Sequence, residues 1–138
     1  MCFTETHLDS SFASEMILSS LETTIYRADH DRFEGAVMIA LSPDLCHRQI
    51  QIDRSFFRLE VVGVFVAGSK QRPGCVIVCL YVPPSLAKDS IAPLDDLLEY
   101  IHSSFLGQTC LVTGDFNFPD LDWNCLERSY LLRTKGFT

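Results

Sequence analysis

The sequence lacks an apolar run long enough to cross a membrane. Its apolar stretch at residues 75–84 has about half of the ~20 residues that a membrane-spanning helix requires. Residues 1–7, Met-Cys-Phe-Thr-Glu-Thr-His, contain no lysine or arginine and reach a glutamate before any apolar stretch. A secretory signal peptide needs a basic segment followed by an apolar one, so we expect no signal peptide. The sequence therefore predicts an intracellular protein, nuclear or cytoplasmic, without a membrane partner.

Positive charge is also scarce. The chain has 11 basic and 18 acidic residues, which gives a formal net charge of −7 and a pI of about 4.9. This balance argues against a protein that holds nucleic acid by overall electrostatic attraction. It is compatible with an enzyme whose acidic residues surround a divalent cation, because the cation then supplies the positive charge that a phosphate substrate needs.

The six cysteines include no Cys-x-x-Cys pair and no histidine at zinc-ligand spacing, which disfavours a zinc site. Cys75 and Cys79 fall in one predicted strand, roughly 13 Å apart, so they cannot form a disulfide with each other. We therefore expect the cysteines to be buried, reduced thiols.

The 138 residues contain 47% hydrophobic amino acids and no internal repeat, so we expect one domain covering 1–138. The clearest strand signals lie in four segments: 36–41, 48–52, 56–66 and 75–82. Glu60 is a polar break in the third of these. The fourth is almost wholly apolar, which predicts a strand that is buried on both faces.

Two segments have helical spacing of apolar residues. One is 12–21, with Ser11 as a candidate N-cap, and the other begins at Ile91 and continues to Phe105, with Asp95 and Asp96 in its first turn. A short apolar strand at 109–113 follows. The order strand, helix, strand predicts an α/β layered domain.

Three polar residues stand at the carboxyl ends of predicted strands: Glu5, Tyr81 and Asp115. In α/β domains such positions face the ligand crevice. Asp115 and Asn117 follow a strand around Gly114, and a carboxylate can orient water or bind a cation while an amide donates to a phosphoryl oxygen. This pair suits phosphate-ester hydrolysis, and the alternative is an Asx turn that ends the strand.

Four segments of the chain resemble, in order and rough spacing, motifs of the endonuclease/exonuclease/phosphatase superfamily. The closest resemblance is to the endonuclease domain of non-LTR retrotransposons. The segments are 4–9 (Thr-Glu-Thr-His-Leu-Asp), 27–37 (Arg-Ala-Asp-His-Asp-Arg-Phe-Glu-Gly-Ala-Val), 81–84 (Tyr-Val-Pro-Pro) and 114–123 (Gly-Asp-Phe-Asn-Phe-Pro-Asp-Leu-Asp-Trp). Any one of them is a weak signal, whereas four in register over most of the chain are a strong one.

The resemblance implies a layered β-sandwich flanked by helices and a DNA endonuclease that hydrolyses a phosphodiester bond. It assigns Glu5 to the binding of Mg²⁺ or Mn²⁺ and Tyr81 to contact with the scissile phosphate. Asp115 matches the aspartate that positions or deprotonates the attacking water, and Asn117 matches the amide that holds the phosphate. A fused reverse transcriptase is the partner that the resemblance implies.

The chain also departs from the family pattern. Pro84 stands where many superfamily nucleases carry an asparagine. The family's first strand with its metal-site asparagine would precede Glu5, and its Ser-Asp-His element would follow Trp123 at a distance that this chain does not reach. We therefore expect a partial domain, incomplete at both ends, with little or no activity, because catalytic groups that act as a unit are strongly non-additive.

Two other functions remain open from the sequence. One is a non-catalytic remnant or binding fragment. The other is a phosphatase or phosphodiesterase that acts on an inositol phosphate or a lipid headgroup, because such enzymes share the Glu and Gly-Asp-x-Asn elements.

Overall fold

The computed structural model describes residues 1–17, 22–29, 35–52 and 59–118. Seven strands lie within these ranges: β1 (Cys2–Thr4), β2 (Thr24–Ala28), β3 (Val37–Leu41), β4 (His47–Gln49), β5 (Glu60–Val66), β6 (Cys75–Tyr81) and β7 (Thr109–Asp115). The described residues also contain one α-helix, α1 (Ile91–Ser104). In the same ranges, two 3₁₀-helices span Ser14–Met16 and Pro84–Asp89.

The described strands form two sheets. The three-stranded sheet has the order β1-β3-β2 and is antiparallel throughout. The four-stranded sheet has the order β4-β5-β6-β7, in which β6 and β7 are parallel and the other pairs are antiparallel. Helix α1 lies between β6 and β7 in the chain and supplies the crossover that a parallel pair requires.

The two sheets pack face to face around a shared apolar core. Its buried members are Val37, Ile39, Leu41, Val62, Val64, Cys79 and Tyr81. They alternate along β3, β5 and β6, because successive side chains of a strand point to opposite faces of the sheet. The three-stranded sheet therefore covers one face of the four-stranded sheet.

Helix α1 covers the opposite face of the four-stranded sheet. Val76, Val78 and Leu80 of β6 lie in one buried cluster with Leu97 and Ile101 of the helix. Each of these five side chains is at most 2% exposed, and burial of one such side chain stabilises the fold by about 1.5–3 kcal/mol. Strand β6 is thus buried on both faces, as its continuous apolar run predicts.

The predicted mixed α/β architecture is confirmed in this form: two sheets of three and four strands with few helices in the described ranges. Helix α1 begins at Ile91, so Asp95 and Asp96 lie in its second turn and the expected first-turn position is wrong. Ile91 itself is 57% exposed. Strand β5 begins at Glu60, and residues 56–58 of the predicted segment 56–66 lie outside the described residues.

The helix predicted over 12–21 is reduced, in its described part, to the 3₁₀-helix Ser14–Met16. The Arg27 guanidinium donates to the carbonyl of Phe12, and the amide of Met16 donates instead to the carbonyl of Ala13 at 3.0 Å. The Phe12 carbonyl therefore does not serve as the first acceptor of an α-helix. Residues 18–21 lie outside the described residues.

In the described part of the chain, no helix combines the length and the apolar character that a membrane span needs.

Candidate functional site

The ends of the parallel strands β6 and β7 bring Tyr81 and Asp115 together. The two residues are register partners, and the amide of Val82 donates to the Asp115 carbonyl at 2.9 Å. Parallel strands end at the same edge of a sheet, so the polar residues that close β6 and β7 meet there. The sequence prediction that Tyr81 and Asp115 stand at strand ends is confirmed by this register.

Glu5 approaches the same edge from the other sheet. It directly follows β1, and the Tyr81 hydroxyl donates a hydrogen bond to Glu5 Oε1 at 3.2 Å. Tyr81 is 5% exposed, whereas Glu5 is exposed. The contact thus joins residues that are 76 positions apart in the chain and belong to different sheets.

The backbone after β1 is held in place by the segment before β3. The amide of Thr6 donates to the Ala36 carbonyl at 3.4 Å, and the amide of His7 donates to the Gly35 carbonyl at 3.2 Å. Glu5 has a φ of 51°, in a region that few residues other than glycine adopt. Such a conformation persists where surrounding contacts enforce it, as these two hydrogen bonds do.

Glu60 supports this arrangement, and the sequence analysis recognised it only as a polar break. Its carboxylate accepts a hydrogen bond from the amide of Ala36. A Cβ atom at Gly35 would lie 2.1 Å from Glu60 Oε2, and Gly35 has a φ of +74°, so glycine alone fits this position without rearrangement. Through this hydrogen bond the Glu60 carboxylate contacts the segment that positions Glu5, and Glu60 is also the register partner of Tyr81.

The sequence carries one signal that could have identified Glu60. Glu60 is an acidic residue at the start of an apolar strand, and it lies on the face that β5 turns toward the three-stranded sheet. An acidic residue at such a position requires a hydrogen-bonding partner. The sequence does not reveal the partner, because Ala36 is 24 residues away.

Asn117 follows Asp115 in a tight turn. Its amide N–H donates to Asp115 Oδ1 at 3.3 Å, and its side-chain Nδ2 donates to the Val82 carbonyl at 3.1 Å. The first bond is the Asx turn that the sequence left open as an alternative. The second bond ties the turn to β6, and an amide NH₂ group has a second hydrogen with which it can serve a ligand.

The candidate site is strongly acidic. Burial, the hydrogen bond to Glu5, and the negative charges of Glu5, Asp115 and Glu60 raise the pKa of Tyr81 to about 12. Tyr81 is therefore protonated at neutral pH and remains a hydrogen-bond donor. Carboxylates that surround one hydroxyl create a negative potential that favours a cation.

The donors at this edge suit a hard divalent cation. Mg²⁺ usually binds through one or two carboxylates and keeps several waters, and Glu5 offers an exposed carboxylate of this kind. Within the described residues, no group of three or more His, Cys, Asp or Glu side chains is arranged to hold a metal ion. The exposed Glu5 carboxylate is compatible with a Mg²⁺ or Mn²⁺ ion that keeps several of its waters.

Comparison of the chain with models of known protein families gives no match, and comparison with curated proteins gives no significant match.

Proposed function

We propose that this chain carries the phosphodiester-hydrolysing site of a metal-dependent DNA endonuclease of the endonuclease/exonuclease/phosphatase type, of the kind found in non-LTR retrotransposons. The observation that carries the proposal is the meeting of Glu5, Tyr81 and Asp115 at one edge, through the hydrogen bond between Tyr81 and Glu5 and the register of β6 with β7. These residues come from three of the four segments on which the resemblance rests.

The layered architecture supports the same proposal. A three-stranded sheet packs on one face of a four-stranded sheet, and α1 packs on the other face. A β-sandwich flanked by helices is the fold that the resemblance implies. The carboxyl edge of β6 and β7 is then the edge at which substrate binds.

In this proposal each residue has one chemical role. Asp115 orients the attacking water and accepts its proton, and its own position is fixed by the amide of Asn117. Tyr81 stays protonated because its pKa is about 12, and when substrate binds it turns its one hydroxyl proton from Glu5 to a phosphoryl oxygen. The side-chain amide of Asn117 donates to a second oxygen and stabilises the charge that develops there.

Glu5 would hold the metal ion. A Mg²⁺ or Mn²⁺ ion bound there supplies positive charge to the phosphoryl group. Before substrate binds, the hydrogen bond from Tyr81 fixes the orientation of the Glu5 carboxylate, and the Gly35–Ala36 segment fixes the backbone that follows Glu5. DNA is the proposed substrate, and a reverse transcriptase is the proposed partner activity.

A comparison of two substrates tests the reaction class. The chain is incubated in Mg²⁺ or Mn²⁺ with supercoiled plasmid DNA and, separately, with an inositol phosphate. The sequence alone leads us to expect little or no activity, but the meeting of Glu5, Tyr81 and Asp115 leads us to expect slow conversion of the plasmid to the nicked circle. We expect no release of inorganic phosphate from the inositol phosphate. Phosphate release without nicking would show that the chain is a phosphatase and not an endonuclease. The absence of both phosphate release and nicking would favour the non-catalytic remnant.

A further inference from the structure

The cysteines are not uniformly buried, and the expectation that they are is wrong. Among those in the described residues only Cys79 is buried. Cys75 is partly exposed, and the exposed thiols belong to Cys2, Cys46 and Cys110. Cys125 lies outside the described residues. Cys79 is thus the one thiol of the described residues that packs inside the fold.

The Cys79 thiol lies against strand β1 of the opposite sheet. Its Sγ donates a hydrogen bond to the carbonyl of Phe3 at 3.5 Å. Phe3 is bonded to Cys2, so the backbone next to Cys2 is within direct reach of the Cys79 sulfur. This contact crosses from the four-stranded sheet to the three-stranded sheet.

The register of β1 turns the Cys2 side chain toward the same place. Cys2 is the partner of Ile39 in β3, and directly paired residues of an antiparallel sheet point to the same face. Ile39 belongs to the core between the sheets, together with Cys79. The Cys2 side chain therefore faces the four-stranded sheet, although the residue remains exposed to solvent.

Cys2 is also one of the groups that raise the pKa of the Cys79 thiol. Burial, followed by the charge of Cys2 and a side-chain hydrogen bond with Cys2, raises the pKa of the Cys79 thiol to about 12. The pair thus combines an accessible thiol at Cys2 with a buried, protonated thiol at Cys79. The contact with Phe3 and the register of β1 place both side chains between the two sheets, next to the same stretch of β1.

We propose that Cys2 and Cys79 form a thiol pair that a disulfide oxidant such as oxidised glutathione converts into a disulfide between β1 and β6. The exposed Cys2 thiolate attacks one sulfur of oxidised glutathione, which forms a mixed disulfide and releases the first glutathione thiolate. The Cys79 thiol then attacks the Cys2 sulfur, and its proton passes to the second glutathione thiolate, which leaves as glutathione. Two protein thiols are oxidised and one glutathione disulfide is reduced.

This inference does not rest on the proposed endonuclease activity. The crosslink would join the two strands whose ends present Glu5 and Tyr81. It would therefore fix the sheets to each other next to the candidate site.

Peptide mapping tests the proposal directly. The folded chain is incubated with oxidised glutathione, its remaining thiols are alkylated, and it is digested with trypsin. Trypsin releases segment 1–27, whose only cysteine is Cys2, and segment 71–88, which contains Cys75 and Cys79. We expect these segments to be linked as the main disulfide product, with fragmentation that assigns the bond to Cys79 and the loss of two alkylation adducts.

Matched controls separate a structure-directed pair from random oxidation. Cys46→Ser removes another exposed thiol and should leave the crosslink unchanged, whereas Cys2→Ser should abolish it. Oxidation of the wild-type chain in urea should spread the disulfides over many pairs. The proposal is overturned if Cys2 joins Cys46, Cys75 or Cys110 as readily, if glutathione adducts alone form, or if the urea-unfolded chain gives the same crosslink yield.

Discussion

The surroundings of the Tyr81 hydroxyl make its pKa higher than that of an ordinary tyrosine. Burial and the nearby carboxylates raise its pKa from 10 to about 12. A group whose pKa is higher in the folded chain stabilises the fold while it is protonated. The stabilisation is therefore complete below about pH 10 and is lost as the pH rises through about 12.

An alkaline titration followed by tyrosinate absorbance checks this assignment. The chain has four tyrosines, and we expect one of them to titrate near pH 12. Tyr81→Phe should remove that late step and should also reduce the loss of stability between pH 10 and 12. If the late-titrating tyrosine persists in Tyr81→Phe, the group is another tyrosine and the electrostatic account of the site fails.

Glu60 offers a second test at the residue scale. Glu60→Gln keeps an acceptor for the Ala36 amide but removes a negative charge, so we expect a lower pKa for Tyr81 and little change in stability. Glu60→Ala leaves the amide of Ala36, a fully buried residue, without this acceptor, which costs about 1–3 kcal/mol. Urea unfolding measures the free energy of unfolding of both variants. Equal losses of this free energy in Glu60→Gln and Glu60→Ala would show that the hydrogen bond to Ala36 contributes nothing to stability.

The elements that the sequence predicts well are those with continuous apolar runs or helical periodicity. Strands β3 and β6 and helix α1 belong to this group, because burial on one or both faces leaves a clear pattern. Strand β2 was not predicted, because its sequence Thr-Ile-Tyr-Arg-Ala mixes polar and apolar residues and all five are only partly buried. Its pairing with β3 decides its structure.

In the candidate site, too, the features set by local sequence could be predicted, and those set by the packing of the two sheets could not. The strand-end positions of Glu5, Tyr81 and Asp115 could be predicted, because local sequence marks where a strand stops. The hydrogen bond of Tyr81 to Glu5 could not be predicted from local pattern, since it depends on how two sheets pack. The contact of Glu60 with Ala36 depends on the same packing.

Gly114 provides a test at the scale of the β6–β7 pair. It has a φ of +146°, and a Cβ atom there would lie 1.8 Å from the Leu80 carbonyl oxygen. We expect Gly114→Ala to destabilise the fold by about 1–3 kcal/mol or more, because the strained backbone and the steric overlap add together.

The matched control for this substitution is Gly107→Ala. Gly107 also has a positive φ, +77°, but nothing lies within 4 Å of its ideal Cβ position. It should show only the backbone cost, about 1–2 kcal/mol. Equal losses in urea unfolding would mean that close approach of the Gly114 backbone to Leu80 is unimportant for the pairing of β6 with β7.

At the scale of the whole molecule, the net charge of −7 limits how the chain can bind DNA. Few phosphates can be neutralised by basic side chains, so we expect weak binding that depends on Mg²⁺ and decreases as salt concentration rises. Titration of labelled DNA at low salt, with and without Mg²⁺, measures this. Tight binding in the absence of metal would contradict the proposed role of the cation.

The most direct test of the central claim is plasmid nicking by the 138-residue chain in Mg²⁺ or Mn²⁺, with each variant shown by circular dichroism to be folded. Asp96→Ala removes an exposed carboxylate of α1 and is the control for Asp115→Ala. Asn117→Ala removes the side-chain amide of Asn117. The account predicts slow, metal-dependent nicking that Asp96→Ala preserves and that falls at least ~100-fold in Asp115→Ala. A folded wild-type chain that does not nick, or an Asp115→Ala variant that nicks equally well, would contradict it.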